Sequence, residues 1–266
     1  MKDILVTGAF GGMGSATVKA LISKGYRVFA LDRKVGEPIA DSVIPIEADI
    51  TSEQGVKAAL SAVREHTDSL YAIIHFAGIY MLDSLVEMSE EEFRRIFDVN
   101  LFGAYLVNKT FLPLLSKGSR ILITTSELAP LDPLPFTGIY AVTKGALDKY
   151  AYSLRMELQL LGIGVSVLRA GAVDTGMLGA STAALVRFCE KTELYTCNAA
   201  RFKSVVESVE AKCIPTEKLA KRAVGIVEKR KPRFAYAINR NPLLRLLNIL
   251  PKRVQFFAIR MILKNK

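Results

Sequence analysis

Short apolar runs rich in β-branched residues alternate with amphipathic stretches along the first two thirds of the chain. The runs at 4–7, 27–31, 43–47, 70–76, 120–125 and 164–168 are four to seven residues long, the length of buried strands. Between them, positions 13–24, 52–65, 89–115 and 140–161 repeat apolar side chains at helical spacing. Strand and helix in alternation, joined by short connections, predict a parallel sheet with helices on both faces: one doubly wound α/β domain over 1–240 that binds ligands beyond the carboxyl ends of its strands.

After Arg169 the alternation stops. Residues 176–214 form a long mixed stretch ahead of a helix at 215–229 and a last strand at 233–238. A connection of that length reads either as a substrate lid with helices of its own or as a plain surface insertion. As a lid it offers Met177, Leu178, Leu185, Val186, Phe188, Leu194, Tyr195 and Phe202 as walls of an apolar pocket. Asn241-Pro242 caps a short helix at 243–250 that Pro251 breaks, and a second follows from Lys252. In that second helix Val254, Phe257, Ala258, Met261 and Ile262 form a stripe, with Arg253, Arg260 and Lys264 on the other side.

Charge sharpens this picture. Of the net +10, all belongs to residues 228–266, which hold eleven Lys or Arg against Glu228, while residues 1–227 carry 25 of each sign. A basic, broken, amphipathic appendage at 241–266 suits the headgroup layer of an anionic membrane, or packing on the body or on a second subunit. Aromatics interleaved with the bases, as nucleic-acid stacking needs, are missing, so no nucleic-acid partner is expected. Met1-Lys2-Asp3 leads straight into the first strand, and no apolar run approaches the ~20 residues that span a bilayer, so the expected location is the cytoplasm, with peripheral membrane contact left open. Cys189, Cys197 and Cys213 lack metal-ligand spacing and read as reduced, partly buried thiols; His66 reads as solvated at a helix end, and no metal is expected.

The chemistry begins at Val6-Thr7-Gly8-Ala9-Phe10-Gly11-Gly12-Met13-Gly14, a glycine turn between a strand and a helix. Gly8 permits the turn, Gly12 lets backbone approach a pyrophosphate and Gly14 brings helix close to strand, while the helix N-terminus favours the negative charge. The second strand ends in Asp32, where a carboxylate accepts hydrogen bonds from a ribose and repels a 2′-phosphate. NAD is therefore preferred, although Arg33 and Lys34 offer a clamp for the phosphate of NADP. Further on, Tyr140-Ala141-Val142-Thr143-Lys144 opens a helix with the phenol and the amine one turn apart. Moving a tyrosine down from ~10 by about three pH units takes ~4 kcal/mol, which one cation ~4 Å away supplies at an effective dielectric of ~20.

Thr7 to Gly14 in the pattern TGxxxGxG, Asp49-Ile50 after the third strand, Ala77-Gly78 after the fourth, Asn100 in Val99-Asn100-Leu101-Phe102-Gly103, Ser126 after the fifth and the tyrosine–lysine pair occur in the order of the short-chain dehydrogenase/reductase family. Over about residues 3–175 the chain resembles that family, and its long lid-like stretch together with its apolar tail looks like the hydroxysteroid and retinol dehydrogenase branch. The resemblance implies a Rossmann-like sheet and an alcohol/ketone oxidoreductase acting on a lipophilic substrate, a 3-oxoacyl or small polyol reductase being the alternative. A dinucleotide-sensing or membrane-scaffolding protein without turnover is the reading from another class, and an intact proton-transfer set argues against it. In the roles implied, Tyr140 is general acid and base, Lys144 lowers its pKa and binds ribose, Ser126 holds the substrate oxygen, and Asn100 anchors a proton-relay water. Phe10, Met13, Asp49, Ile50, Phe76, Ala77, Gly78, Gly171, Val173 and Thr175 are the further dinucleotide contacts implied, and the helices at 89–115 and 140–161 would form a homodimer or homotetramer.

Three departures stand out. His75-Phe76-Ala77-Gly78 replaces the usual Asn-Asn-Ala-Gly, so the tie between that turn and its neighbours is expected to weaken. Ser126 lies fourteen residues before Tyr140, one more than usual, which puts Thr125 and Glu127 beside it as rivals. Alanine stands for proline in Arg169-Ala170-Gly171.

Overall fold

The computed structural model describes residues 1–208 and 213–264, without the side chains of 176–181, 207 and 208. Its strands are β1 (Asp3–Thr7), β2 (Arg27–Asp32), β3 (Val43–Glu47), β4 (Ala72–His75), β5 (Arg120–Ser126), β6 (Gly164–Ala170), β7 (Val173–Asp174), β8 (Ile214–Pro215) and β9 (Ala235–Ile238). Seven of them form one parallel sheet in the order β3-β2-β1-β4-β5-β6-β9, with Thr7 level with Leu31 on one side and His75 on the other. The order reverses between β1 and β4, which opens a crevice at their carboxyl ends.

The alternation of side chains along β1 divides the core between the sheet's two faces. Ile4 and Val6 join Val28, Ile74 and, from the helices, Val18, Leu21, Leu219 and Ala223. Leu5 faces the opposite way into Phe29, Ile73, Val56, Val107 and Phe111. A strand buried on both faces reads as a continuous apolar run, which is why β1, β2 and β4 stood out.

The helices are α1 (Gly12–Ile22), α2 (Glu53–Arg64), α3 (Glu90–Phe97), α4 (Gly103–Phe111), α5 (Gly138–Leu158), α6 (Gly176–Lys191), α7 (Thr196–Ser208), α8 (Thr216–Val227), α9 (Pro242–Ile249) and α10 (Lys252–Leu263). Ser52 caps α2 by accepting from the Gly55 N–H, and Ser89 and Glu92 form a reciprocal capping box on α3. The single helix expected over 89–115 is instead three pieces: α3, a π-helical turn Asp98–Phe102, and α4, closed by a 3-10 turn Leu112–Leu114. Pro113 accounts for the stop, and Asn100, described below, for the bulge.

The stretch 176–214 has structure of its own. It carries α6, α7 and the strand β8, which pairs with β7 through Val173–Ile214 and Asp174–Pro215. Leu185, Phe188 and Phe202 bury against Leu82 and Phe136 in a separate small core. Among the expected pocket walls these three are therefore core residues, Tyr195 packs at the core's edge and Leu194 is exposed; the Met177 and Leu178 side chains lie outside the described residues. Cys189 is half-buried, and Cys197 and Cys213 are exposed rather than partly buried.

Candidate active site

The turn after β1 is built around one backbone constraint. Gly8 has φ +67°, and a Cβ there would lie 2.5 Å from the Ala77 backbone nitrogen, so only glycine lets the turn press against the strand end of β4. The Phe76 and Ala77 N–H groups both donate to the Thr7 carbonyl, which fixes that contact. A Cβ on Gly14 would lie 2.0 Å from the Gly8 carbonyl oxygen, and one on Gly12 would meet Thr175 at 2.9 Å. The result is a cleft of about 1150 Å³ running from Asp32 and Asp49 past Gly12, Ala77 and Gly78 to Tyr80.

Its first end is a pair of carboxylates. Asp32 accepts from the Phe10 N–H at 2.9 Å and from the Arg33 N–H at 2.8 Å, so its orientation is set by backbone. Asp49 accepts from both the hydroxyl and the N–H of Thr51, and these bonds hold its carboxyl below the usual range, with further help from Arg33. Met13, Arg33, Ile50, Phe76 and Thr175 also line the cleft, and α3 adds Arg94 and Arg95 to the wall.

Behind the other end, against Gly78, Ile79 and Tyr80, stand polar groups that do not themselves line the cleft. Asn100 is buried within the π turn, where its Oδ1 accepts from the Ile79 N–H at 2.8 Å and its Nδ2 donates to the Ile79 carbonyl at 3.0 Å and to the Thr143 hydroxyl at 3.1 Å. One side chain thus joins the loop after β4 to α5, and the bulge aims it there. Lys144 is 6 % exposed. Its Nζ donates to the Thr124 carbonyl at 3.4 Å, a Cβ added to Gly78 would lie 3.3 Å from it, and no carboxylate among the described residues pairs with it. Burial pulls its pKa from 10.5 to about 8.

Burial raises the pKa of Tyr140 and the neighbouring Tyr80 adds to the rise, outweighing the lowering effect of the nearby Ser126 hydroxyl. The downward pull expected from Lys144 does not appear. The ammonium stands 5.8 Å from the phenol ring centroid and is itself partly discharged by the same enclosure, whereas removing a phenolate from water costs several kcal/mol. The chain by itself holds Tyr140 as the neutral phenol. The rivals of Ser126 point elsewhere: the Thr125 hydroxyl donates to Asp148 and Glu127 accepts from the Asn241 N–H.

Of the expected dinucleotide contacts, Phe10, Tyr140, Lys144, Gly171 and Val173 do not line the cleft. A Cβ on Gly171 would fall 1.7 Å from the Asn239 carbonyl oxygen, so this glycine serves the close packing of the chain after β9. Val173 is buried in the core with Val18 and Leu219. The weak tie expected at His75 is also corrected: its ring bonds Asn108 Oδ1 at 2.9 Å and the Thr7 hydroxyl at 3.4 Å. Burial pushes its pKa to about 4, so the neutral ring does the work of the missing amide.

Sequence reasoning missed Tyr80 and Asp148. Tyr80 lays its ring 4.9 Å from that of Tyr140, and burial raises its own pKa to about 12. Asp148, one turn beyond Lys144 on α5, takes both Arg169 Nε at 2.9 Å and Nη2 at 2.7 Å. The spacing 140, 144, 148 was the available signal for Asp148; nothing local marked Tyr80.

A doubly wound sheet with a glycine turn at its switch point, and a Ser–Tyr–Lys–Asn cluster behind the cleft residues Gly78, Ile79 and Tyr80, defines a Rossmann-like class of α/β protein. The sequence model described as short chain dehydrogenase matches residues 2–185, and the chain belongs to that family. It is 33% identical over 191 residues to estradiol 17-beta-dehydrogenase 2 of Mus musculus, a match covering 67% of this chain and 50% of the relative; the chain thus spans about half the length of that enzyme. It is 26% identical over 263 residues to 3-ketodihydrosphingosine reductase of Bacteroides thetaiotaomicron, covering 97% of this chain and 96% of the relative. Among solved structures, 3-ketoacyl-(acyl-carrier-protein) reductase of Brucella melitensis complexed with NADH superposes with a TM-score of 0.73 at 23% identity, over 89% of this chain and 96% of that one.

Proposed function

We propose that the protein interconverts a secondary alcohol and a ketone on a lipophilic substrate, with a nicotinamide dinucleotide as co-substrate and Tyr140 as general acid and base. The observation that carries this reading is the placing of the Ser126 and Tyr140 hydroxyls beside a buried ammonium that no carboxylate among the described residues pairs with. A binding protein has no use for that arrangement, which costs stability.

The residues fit a dinucleotide. Gly8, Gly12 and Gly14 leave no room for a Cβ, so backbone N–H groups at the start of α1 stay open to a pyrophosphate. Asp32, already oriented by two N–H groups, favours ribose hydroxyls over a 2′-phosphate, which makes NAD the preferred form; Arg33 beside it is the residue that would admit NADP. When bound, the dinucleotide exchanges hydride with the substrate carbon. Every remaining task falls to the chain. Ser126 and Tyr140 both hydrogen-bond the substrate oxygen; Tyr140 donates its proton to a ketone or receives one from an alcohol. Lys144 offsets the negative charge of the phenolate during that transfer, and Asn100 fixes the π turn against Thr143 and so the start of α5.

The substrate class is supported from two sides. Tyr80, which packs against the small core of Phe136, Phe188 and Phe202, sets an aromatic ring 4.9 Å from that of Tyr140 and gives the site an apolar side. The match to the ketodihydrosphingosine reductase runs through nearly the whole chain, tail included, whereas the match to the steroid enzyme covers two thirds. That difference favours a ketone on a long alkyl chain over a steroid.

The test follows reduced-dinucleotide absorbance across long-chain 3-keto compounds, hydroxysteroids, retinol and 3-oxoacyl thioesters, with NADH and NADPH side by side. Tyr140→Phe should lose at least ~100-fold in kcat while the dinucleotide Kd stays within threefold. Turnover retained in that variant refutes the assignment of Tyr140, and equal use of NADPH refutes the Asp32 argument.

A further inference from the structure

The last two helices leave their apolar side outside. On α10 the face turned inward is Gln255, buried at 4 % exposure, with Ala258, Ile259 and Leu263 partly covered. The stripe Val254, Phe257 and Met261 faces solvent instead, at 45 %, 65 % and 57 % exposure. On α9 the same holds for Leu246 and Ile249. A lone exposed leucine needs no explanation, but apolar residues exposed in a row along each of two consecutive helices do.

Arg245, Arg253 and Arg260 are exposed as well; Arg253 and Arg260, expected across the helix from the apolar stripe, instead flank Phe257 at i−4 and i+3, and none of the three is paired with a carboxylate among the described residues. Residues 229–266 hold no Asp or Glu at all. The platform is also firmly mounted. Asn241 caps α9 through the Leu243 and Leu244 N–H groups; Asn248 accepts from the Asp132 N–H at 2.7 Å; Lys252 pairs with Asp132; Asn198 on α7 donates to the Leu263 carbonyl at 2.7 Å and Arg201 to the Ile262 carbonyl at 3.1 Å. The face is therefore presented without further ordering of the backbone.

We propose that α9 and α10 dock the protein on an anionic lipid surface, with Leu246, Ile249, Val254, Phe257 and Met261 in the headgroup–acyl boundary and the arginines against lipid phosphates. Charge decides between a bilayer and a second copy of this chain. A two-fold contact through this face would set Arg245, Arg253 and Arg260 against the same arginines with no acid to separate them. An anionic membrane answers both the apolar row and the bases, and the short helices lie on it without spanning. Because α10 is bonded to α7 of the lid, docking sets the lid beside the bilayer. Uptake of a lipophilic substrate from that surface is the consequence, and that last step rests on the function proposed above.

The experiment is vesicle flotation of the intact protein. Vesicles of phosphatidylcholine with phosphatidylglycerol should carry it, pure phosphatidylcholine should carry little, and 0.5 M salt should weaken binding. Each base near an anionic surface is worth roughly fivefold in partitioning, so Arg253→Gln with Arg260→Gln should cut binding more than tenfold. Phe257→Ser with Met261→Ser should do the same on neutral and anionic vesicles alike. Turnover of a soluble short-chain ketone should be unchanged in all these variants, which separates a failure of docking from a failure of the enzymatic reading. Equal binding to both vesicle types, no flotation, or light scattering that shows a dimer dispersed by Phe257→Ser would overturn the proposal; the last result would make a second copy the occupant.

Discussion

Replacing Lys144 with methionine is expected to stabilise the protein while removing its chemistry. The amine is 6 % exposed, its single polar contact is the 3.4 Å bond to the Thr124 carbonyl, and burial lowers its pKa from 10.5 to about 8. A base whose pKa is lower in the folded state than in the unfolded chain binds fewer protons when folded, so its cost is fully present below pH 8 and fades as pH rises toward 10.5. At ~1.4 kcal/mol per pH unit the cost is ~3 kcal/mol at neutral pH. Methionine keeps the length of the stem and carries no charge. Urea unfolding of wild type and Lys144→Met at pH 7, 9 and 10 should show the variant more stable by ~3 kcal/mol, then ~2, then less than ~1. Other groups that titrate in this range do so in both proteins and cancel. A variant no more stable at pH 7, or a gain that does not shrink with pH, would show that the ammonium is solvated or paired, and the account of Tyr140 would lose its source of positive charge.

Two further substitutions probe the frame. Asp148→Asn leaves Arg169, which is 22 % exposed, without its carboxylate and should cost about 3 kcal/mol in urea unfolding, with kcat reduced more than KM because the Thr125 bond next to Ser126 weakens; a loss under ~1 kcal/mol would refute a buried pair. Gly8→Ala combines φ +67° with a Cβ 2.5 Å from the Ala77 nitrogen and should weaken NADH binding at least tenfold by fluorescence titration. Gly25→Ala, at φ +79° with nothing within 4 Å, is the control: it should cost only ~1 kcal/mol and leave NADH binding alone.

What could be read from the sequence and what could not divides along one physical line, the distance over which a feature is determined. β1, the Gly8 turn and α1 are fixed by neighbours within a dozen residues, as is the pairing of Asn241 with Pro242; each was visible as a local pattern. The π turn depends on bonds from Asn100 to Ile79 and Thr143, 21 and 43 positions away, and helical periodicity cannot register it. The rise in the pKa of Tyr140 depends on enclosure by Tyr80 and on desolvation that no spacing reports. His75 looked like a loss because the comparison was with an amide; only its contacts with Thr7 and Asn108, 68 and 33 positions away, reveal the replacement. The same reasoning explains the tail. Its composition and period were legible, but whether an amphipathic helix turns its apolar side in or out is decided by what the rest of the chain offers it. Here the body takes Gln255 and Leu263 and leaves Phe257 outside. A helix that turns its glutamine inward and its phenylalanine outward is what the lipid docking proposed above would use, which is why the lipid experiment bears most directly on how this chain is used.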